Sequence, residues 1–305
     1  MKLGVNLINF GPAATPENLT RWVEVVEGLG YDSLLTSDHV ATTPDVHAMY
    51  PDPFYEPLST LGWLAGVTER IMIGSTVMIV PYRNPLETAR ASANIDQLSG
   101  GRAIFGAGIG WAQNEFEALG VPFNRRGAIT DEYLDVIKRF WTEDVISHDG
   151  RFAQIEGAHT LPRPVQTPHP PIWIGGSSDA ALRRAVRVGG SWHPIRARVG
   201  ALRTTGVPRL RAVAEETGAA IPPVCPRIGL DITDAPLDDD SRIMGSGTVD
   251  QIRADLTDLH DLGCDHVILD TSYNGVAATL DAERAWSMLE TIASDGFDLA
   301  SGEPR

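Results

Sequence analysis

Short apolar runs alternate along the chain with longer stretches whose apolar residues recur every three or four positions. The short runs predict strands buried on both faces, and the longer stretches predict amphipathic helices packed against them. Leu3 to Asn9 reads as the first strand. Thr15-Pro16-Glu17 then supplies an N-cap, a proline at the first helical position and an early acid, and Leu19, Trp22, Val23, Val26 and Leu29 form the apolar stripe before Gly30 stops the helix. The same alternation predicts strands at Ser33 to Thr36, Ile71 to Val80, Ala103 to Phe105, Ile172 to Ile174, Ser191 to His193, Val224 to Asp231 and His266 to Asp270. Helices are predicted over Leu58 to Val67, from Asn84-Pro85 to Ser99, and over Ala112 to Leu119, Asp131 to Thr142, Asp179 to Val188, Leu202 to Thr217 and Asp281 to Ala293. A further helix opens at the Thr248-Val249-Asp250-Gln251 capping box.

Eight strands, each followed by at least one helix, predict an α/β fold of the (β/α)₈ TIM-barrel kind with insertions at the C-terminal rim. The junction Leu29-Gly30-Tyr31-Asp32-Ser33-Leu34-Leu35 echoes Leu262-Gly263-Cys264-Asp265-His266-Val267-Ile268, as expected where one βα unit recurs around a barrel. A doubly wound open sheet is the competing architecture, but no composition break or linker divides the chain. Residues 1–305 are therefore expected to form a single domain. Residues 145–170, rich in Pro and His, are expected to make an inserted hairpin or irregular excursion over the barrel mouth.

Composition narrows the partners. The apolar fraction is 43% and the charged fraction 21%, as in an ordinary globular chain. A net charge of −15 lacks the basic footprint that nucleic acid or an anionic membrane requires. No apolar run is long enough to span a bilayer, and Met1 to Val5 enters a strand, so the cytoplasm is the expected location. Cys225 and Cys264 stand apart and read as buried thiols. The basic residues are nearly all Arg, which suits phosphate and carboxylate ligands but also follows from a GC-rich genome.

In such barrels the chemistry sits just beyond the C-terminal ends of the strands. Asp38-His39 follows the second strand and pairs an acid with an imidazole able to titrate near neutral pH. Gly74-Ser75-Thr76-Val77 interrupts an aliphatic strand with small residues, which marks either a close approach by a ligand or a barrel layer that needs small side chains. Gly106-Ala107-Gly108-Ile109-Gly110-Trp111, running on to Asn114 and Glu115, lacks the third glycine position of a dinucleotide fingerprint. Its glycines suit backbone approach to a flat ring, with Asn114 available to hydrogen-bond it. Gly175-Gly176-Ser177-Ser178 opens a helix and offers backbone N–H groups to a phosphate. Arg183, Arg184 and Arg187 on that helix, and Arg83 elsewhere, suit an anion site or a solvated basic face equally.

The stretch from Gly106 to Glu132, with Pro164-Val165-Gln166, Pro171 to Gly176 and Trp192-His193-Pro194, resembles the luciferase-like monooxygenase superfamily, and in particular its actinobacterial F420-dependent branch. The resemblance covers nearly the whole chain. It implies a TIM barrel in which coenzyme F420 lies against a strand-three bulge, with a non-prolyl cis peptide at Thr76–Val77. It also implies His39 and Asp38 near the ring, Ile109, Gly110 and Asn114 beside it, and Gly175, Gly176 and Ser177 around the phosphate. Similar sugar-phosphate dehydrogenases carry a glutamate where this chain has Trp111, so that acid is absent here, which argues against a sugar phosphate as substrate. Trp111, Trp192, Phe54 and Tyr55 suggest an apolar or aromatic substrate instead.

The expected activity is hydride transfer between F420 and an unsaturated or carbonyl-bearing small molecule, with His39 as proton donor or ring clamp, Asp38 orienting it, and no metal. The alternatives are an FMN-dependent monooxygenase using dioxygen, a metal-dependent hydrolase using Asp38, His39, His193 and Asp270, and a non-catalytic cofactor-binding barrel. A homodimer is the expected assembly.

Overall fold

The computed structural model describes residues 1–198, 200–273 and 279–305. In chain order the elements are β1 (Lys2–Leu7), α1 (Pro16–Leu29), β2 (Ser33–Thr36), α2 (Pro44–Met49), α3 (Pro57–Val67), β3 (Met72–Ser75), β4 (Met78–Ile79), α4 (Pro85–Leu98), β5 (Ala103–Gly108), α5 (Gln113–Ala118), α6 (Arg126–Thr142), β6 (Val145–Asp149) and β7 (Gln154–His159). There follow β8 (Ile172–Gly175), α7 (Asp179–Val188), β9 (Ser191–His193), α8 (Val207–Thr217), β10 (Arg227–Gly229), β11 (Asp231–Ile232), β12 (Ser246–Gly247), α9 (Val249–Asp261), β13 (His266–Asp270), α10 (Ala282–Thr291), β14 (Phe297–Asp298) and β15 (Glu303–Pro304).

Parallel pairing runs in the order β10, β13, β1, β2, β3, β5, β8, β9. Single parallel bridges from Trp192 to Val224 and from Ile195 to Arg227 bring β9 back to β10 and close the barrel. The fold is the (β/α)₈ barrel that the alternation predicts. Strand side chains alternate between two apolar layers. Leu35, Ile104, Trp173, Cys225 and Ile268 form one cluster, and their strand neighbours Leu34, Phe105, Ile174 and Val267 join the larger core with residues of the helices such as Trp22 and Trp141. Helix ends follow the sequence signals: Thr15 caps α1, Gly30 closes it at φ 93°, and the Thr248–Gln251 capping box opens α9.

Several elements differ from expectation. The predicted strand over Ile71 to Val80 is broken between Ser75 and Met78, where Thr76–Val77 is a cis peptide, and resumes as β4. The predicted strand over Val224 to Asp231 contributes only Arg227–Gly229 and the Val224 bridge, because Pro226 has no N–H to give a ladder and Asp231 turns away to pair with Ser246. The loop after β2 holds the short helix α2. The 145–170 excursion contains the antiparallel hairpin β6–β7 but does not cover the mouth. Asp96 near the end of α4 accepts from the Val165 and Gln166 amides at 2.7 and 3.0 Å, and the Gln166 side chain donates to the Ala103 carbonyl at the start of β5. The end of the excursion thus packs at the opposite end of the barrel, its hairpin tip lies along α6 with the Arg151, Phe152 and Ala153 amides on Glu132, and the segment between β2 and α3 lies on the C-terminal rim.

Candidate active site

The bulge between β3 and β4 is hemmed in by its neighbours. A Cβ at Gly106 would lie 1.9 Å from the Ser75 carbonyl oxygen, and one at Gly108 would lie 2.5 Å from Val77 Cγ2. These two glycines are required by the close approach of β5 to the bulge, not directly by a ligand, which refines the sequence reading. Gly110 differs: its φ of 78° favours glycine, and it carries the chain from β5 toward α5.

The three glycine-marked segments converge on one hollow at the C-terminal ends of the strands. A cavity of about 240 Å³ is lined by Ser37, Asp38 and His39 after β2, Thr76, Val77 and Ile79 at the bulge, Gly108 to Trp111 after β5, Gly175 and Gly176 after β8, and by Tyr50, Ile195 and Arg227. Its walls are mostly apolar, and its charged groups are themselves paired.

His39 is fully packed. Its ring lies 4.9 Å from that of Tyr50 and meets the edges of Phe54 and Trp111. Its Nδ1 donates to Glu115 Oε2 at 2.6 Å. Glu115 has no solvent exposure and also accepts from the Tyr82 hydroxyl at 2.8 Å and from the Val40 and Ala41 amides at 2.6 and 2.9 Å. Burial alone would raise the Glu115 carboxyl, but the His39 bond and the two amides more than offset it and hold it below the usual carboxylate range. With Nδ1 occupied, Nε2 is the His39 nitrogen left to exchange a proton.

Asp38 does not orient His39. Its carboxylate takes a bidentate pair from Arg83, both bonds 2.8 Å, and accepts from the Ile79 amide at 2.7 Å. Arg83 reaches on to Glu56. Asp38 therefore pins the backbone just beyond the bulge, and the partner of His39 is Glu115. Adjacent in sequence, the two side chains take different partners: the Asp38 carboxylate goes to Arg83 and the His39 imidazole to Glu115.

Behind the bulge lies a second buried network. His193 Nδ1 donates to the Cys225 carbonyl, so its Nε2 accepts from the Thr76 hydroxyl at 2.8 Å. Burial, with the Arg227 charge nearby, brings His193 down to about 4. Arg227 donates to the Thr76 carbonyl at 2.7 Å and forms an ion pair with Asp270 at 2.6 Å. Burial would raise Asp270, but the Arg227 charge together with hydrogen bonds from Ser272 and Arg227 outweighs it and holds the carboxyl low. Arg227 escaped the sequence reading, although a charge inside an apolar strand run is itself a signal.

Asn114 and Ser177 fall outside the cavity. Asn114 is exposed on α5 and turns its amide to Asp45, because α5 presents Glu115 inward at the adjacent position. Ser177 is exposed in the turn before α7, and the neighbouring Gly176, at φ 106°, has its carbonyl held by Trp192 Nε1 at 2.8 Å. The arginines of α7 are committed to acids: Arg184 and Arg187 to Asp131, Arg183 to Glu216. Of the four aromatics singled out, Trp111 lines the cavity at 44% exposure, whereas Trp192 is buried core, Phe54 stacks on Phe10 and Tyr55 is half-buried against the core. Asp38 and Asp270 are each bound by arginine, and among the described residues no three His, Cys, Asp or Glu side chains gather as a metal site. Cys225 and Cys264 are buried free thiols, and no helix among the described residues is long and apolar enough to cross a membrane.

A family model for luciferase-like monooxygenases matches residues 1–244. Among curated relatives, an uncharacterized protein of Mycobacterium tuberculosis is 32% identical over 182 residues, 56% of this chain and 62% of that protein's length. The FMNH2-dependent dimethylsulfone monooxygenase of Pseudomonas putida is 33% identical over 145 residues, 47% of this chain and 39% of that one. Each match thus spans less than two thirds of the relative. Among solved structures, the monooxygenase RslO1 of Streptomyces bottropensis superposes with a TM-score of 0.77 at 21% identity, covering 96% of this chain and 98% of that one. An F420-dependent secondary alcohol dehydrogenase in complex with an F420–acetone adduct superposes at 0.75 with 16% identity, covering 93% and 97%. At those identities the superpositions speak for the barrel alone.

Proposed function

The chain belongs to the luciferase-like monooxygenase family, and from that premise we propose that it is an oxidoreductase that binds coenzyme F420 against the Thr76–Val77 bulge and reduces or oxidises an unsaturated or carbonyl-bearing small molecule. The observation that carries this reading is the convergence of three strand ends, after β3, β5 and β8, on one apolar hollow with a buried His39–Glu115 pair at its side. The residues suit a planar ring. Val77, Ile79, Ile109 and Trp111 offer apolar surface to its faces, and Gly175 and Gly176 leave the rim after β8 clear of side chains.

When bound, the deazaflavin supplies or accepts the hydride. The protein's part is orientation and proton handling. Thr76, Val77, Ile109 and Gly110 position the ring, and the Gly175-Gly176-Ser177 turn ahead of α7 receives the phosphate through backbone N–H groups. Glu115 fixes the His39 tautomer and balances a positive imidazole, so His39 Nε2 can give a proton to, or take one from, the substrate. Asp38 acts at one remove, through Arg83 and the Ile79 amide, by keeping the bulge in place.

A second reading keeps the barrel and the site but employs FMN and dioxygen, and the 33% identity to an FMNH2-dependent monooxygenase favours it. Reconstitution separates the two: the purified protein is incubated with F420 and with FMN, desalted, and its retained absorbance recorded. Retention of F420 and turnover of an aldehyde, ketone or enone acceptor is expected. Selective retention of FMN, with substrate-dependent dioxygen uptake, transfers the assignment to the second reading.

A further inference from the structure

A second cavity, of about 180 Å³, adjoins the first and shares Tyr50, Ile195 and Arg227 with it. Phe10, Met49, Tyr50 and Ile195 give it apolar walls, and its polar side is Arg196, Arg227, Asp270, Ser272 and Tyr273. The charges on that side do not cancel. Arg227 and Asp270 neutralise one another, and Asp270 also accepts from the Asn6 amide and the Ser272 hydroxyl. Arg196 has no carboxylate within ion-pair distance among the described residues; its guanidinium instead lies 5.2 Å from the centre of the Tyr273 ring. Among the described residues the buried Tyr273 hydroxyl has no hydrogen-bond partner. Arg196 is also the one non-glycine residue with positive φ among the described residues, at 60°.

From this juxtaposition we propose that the second cavity is the substrate compartment and that it selects a small organic monoanion, an aromatic or aliphatic carboxylate. Its carboxylate would take hydrogen bonds from Arg196 and the Tyr273 hydroxyl, and its apolar body would lie toward Tyr50 and the first cavity. One uncompensated positive charge calls for one negative charge, and a buried hydroxyl with no partner calls for an acceptor. Phe10 and Tyr50, in edge contact at 5.0 Å, flank an apolar body rather than a sugar. The proposal rests on the assignment of the first cavity to the redox cofactor. The same oxyanion chemistry could come from the cofactor's own phosphate, and the test distinguishes the two sources.

Isothermal titration calorimetry of the full chain with benzoate and with its neutral isostere benzamide provides the test, run with and without bound cofactor. Benzoate is expected to bind one per chain, roughly tenfold or more tighter than benzamide. Arg196→Met, which keeps the aliphatic stem at an exposed position, is expected to abolish that preference, and Arg196→Lys to retain most of it. Equal affinity for the two probes, no benzoate binding, or an Arg196→Met protein that prefers benzoate as before would overturn the proposal. So would an Arg196→Met protein that loses affinity for FMN but not for riboflavin, because the cavity would then hold the cofactor's phosphate. If neither F420 nor FMN binds while the benzoate preference persists, the redox assignment falls and the anion site stands.

Discussion

Replacing Glu115 by Gln changes the shape of the site least and its hydrogen bonding most. Oε2 accepts from His39 and Tyr82, and Oε1 from the Val40 and Ala41 amides, so all four partners are donors. With NH₂ toward Val40 and Ala41 two amide donors face a donor, and with NH₂ toward His39 and Tyr82 both groups must turn to accept, so two charge-assisted bonds are lost either way. Losing two bonds to a buried carboxylate, at about 1.5 kcal/mol each at the low end, costs about 3 kcal/mol. With an unfolding entropy of roughly 2.1 cal/mol/K per residue over 305 residues, that lowers the melting temperature by roughly 5 °C. The His39 ring also loses its fixed tautomer, and turnover is expected to fall by about a hundredfold. Thermal unfolding by circular dichroism gives the first quantity and steady-state kinetics the second. An unchanged melting temperature, or turnover that survives Glu115→Gln but not Asp38→Asn, would show that Glu115 does not hold the imidazole.

Other consequences can be checked separately. His39→Ala should cut turnover by 10²-fold or more, roughly the worth of a general acid, with little change in cofactor affinity; equal losses in both would make His39 a binding residue only. Gly106→Ala should unfold or aggregate the protein, because the new Cβ would meet the Ser75 carbonyl at 1.9 Å, and soluble expression with native circular dichroism would contradict that packing. Burial brings His193 to about 4 and His266 to about 3, so both are neutral in the folded chain where the unfolded chain is already protonated. Their contribution is present above the unfolded value near 6.5 and is lost as pH falls toward the folded values, by about 2 kcal/mol each at pH 5. Urea unfolding at pH 7 and pH 5 measures this, and equal midpoints would place those imidazoles in a wetter environment.

The barrel was legible because its signals are local. Apolar runs, the Thr15 and Thr248 caps and the Gly30 stop each act within one or two turns, and the structure places them as read. The misread boundaries occur where local signals are weak or conflict. α6 begins at Arg126, ahead of the predicted Asp131, because Arg126-Gly127 carries no cap and a residue of low helix propensity. The lining of the candidate site was legible in its glycines and in His39, which stand out by residue type at the strand ends. It was not legible in its partners. Glu115 reaches His39 across 76 positions, and Arg227 reaches the Thr76 carbonyl across 151. Only the closed barrel brings such pairs together, whereas adjacency suggested Asp38, whose side chain faces Arg83.

Val77, Ile109, Gly110 and Trp111 form the shelf proposed to hold the cofactor, and the most direct measurement is a titration of tryptophan fluorescence with F420 and FMN in the native and Trp111→Phe proteins. Binding of one F420 per chain, with quenching that largely disappears in Trp111→Phe, is the predicted result. Saturating amounts of both cofactors that leave the fluorescence and the melting temperature untouched would contradict it.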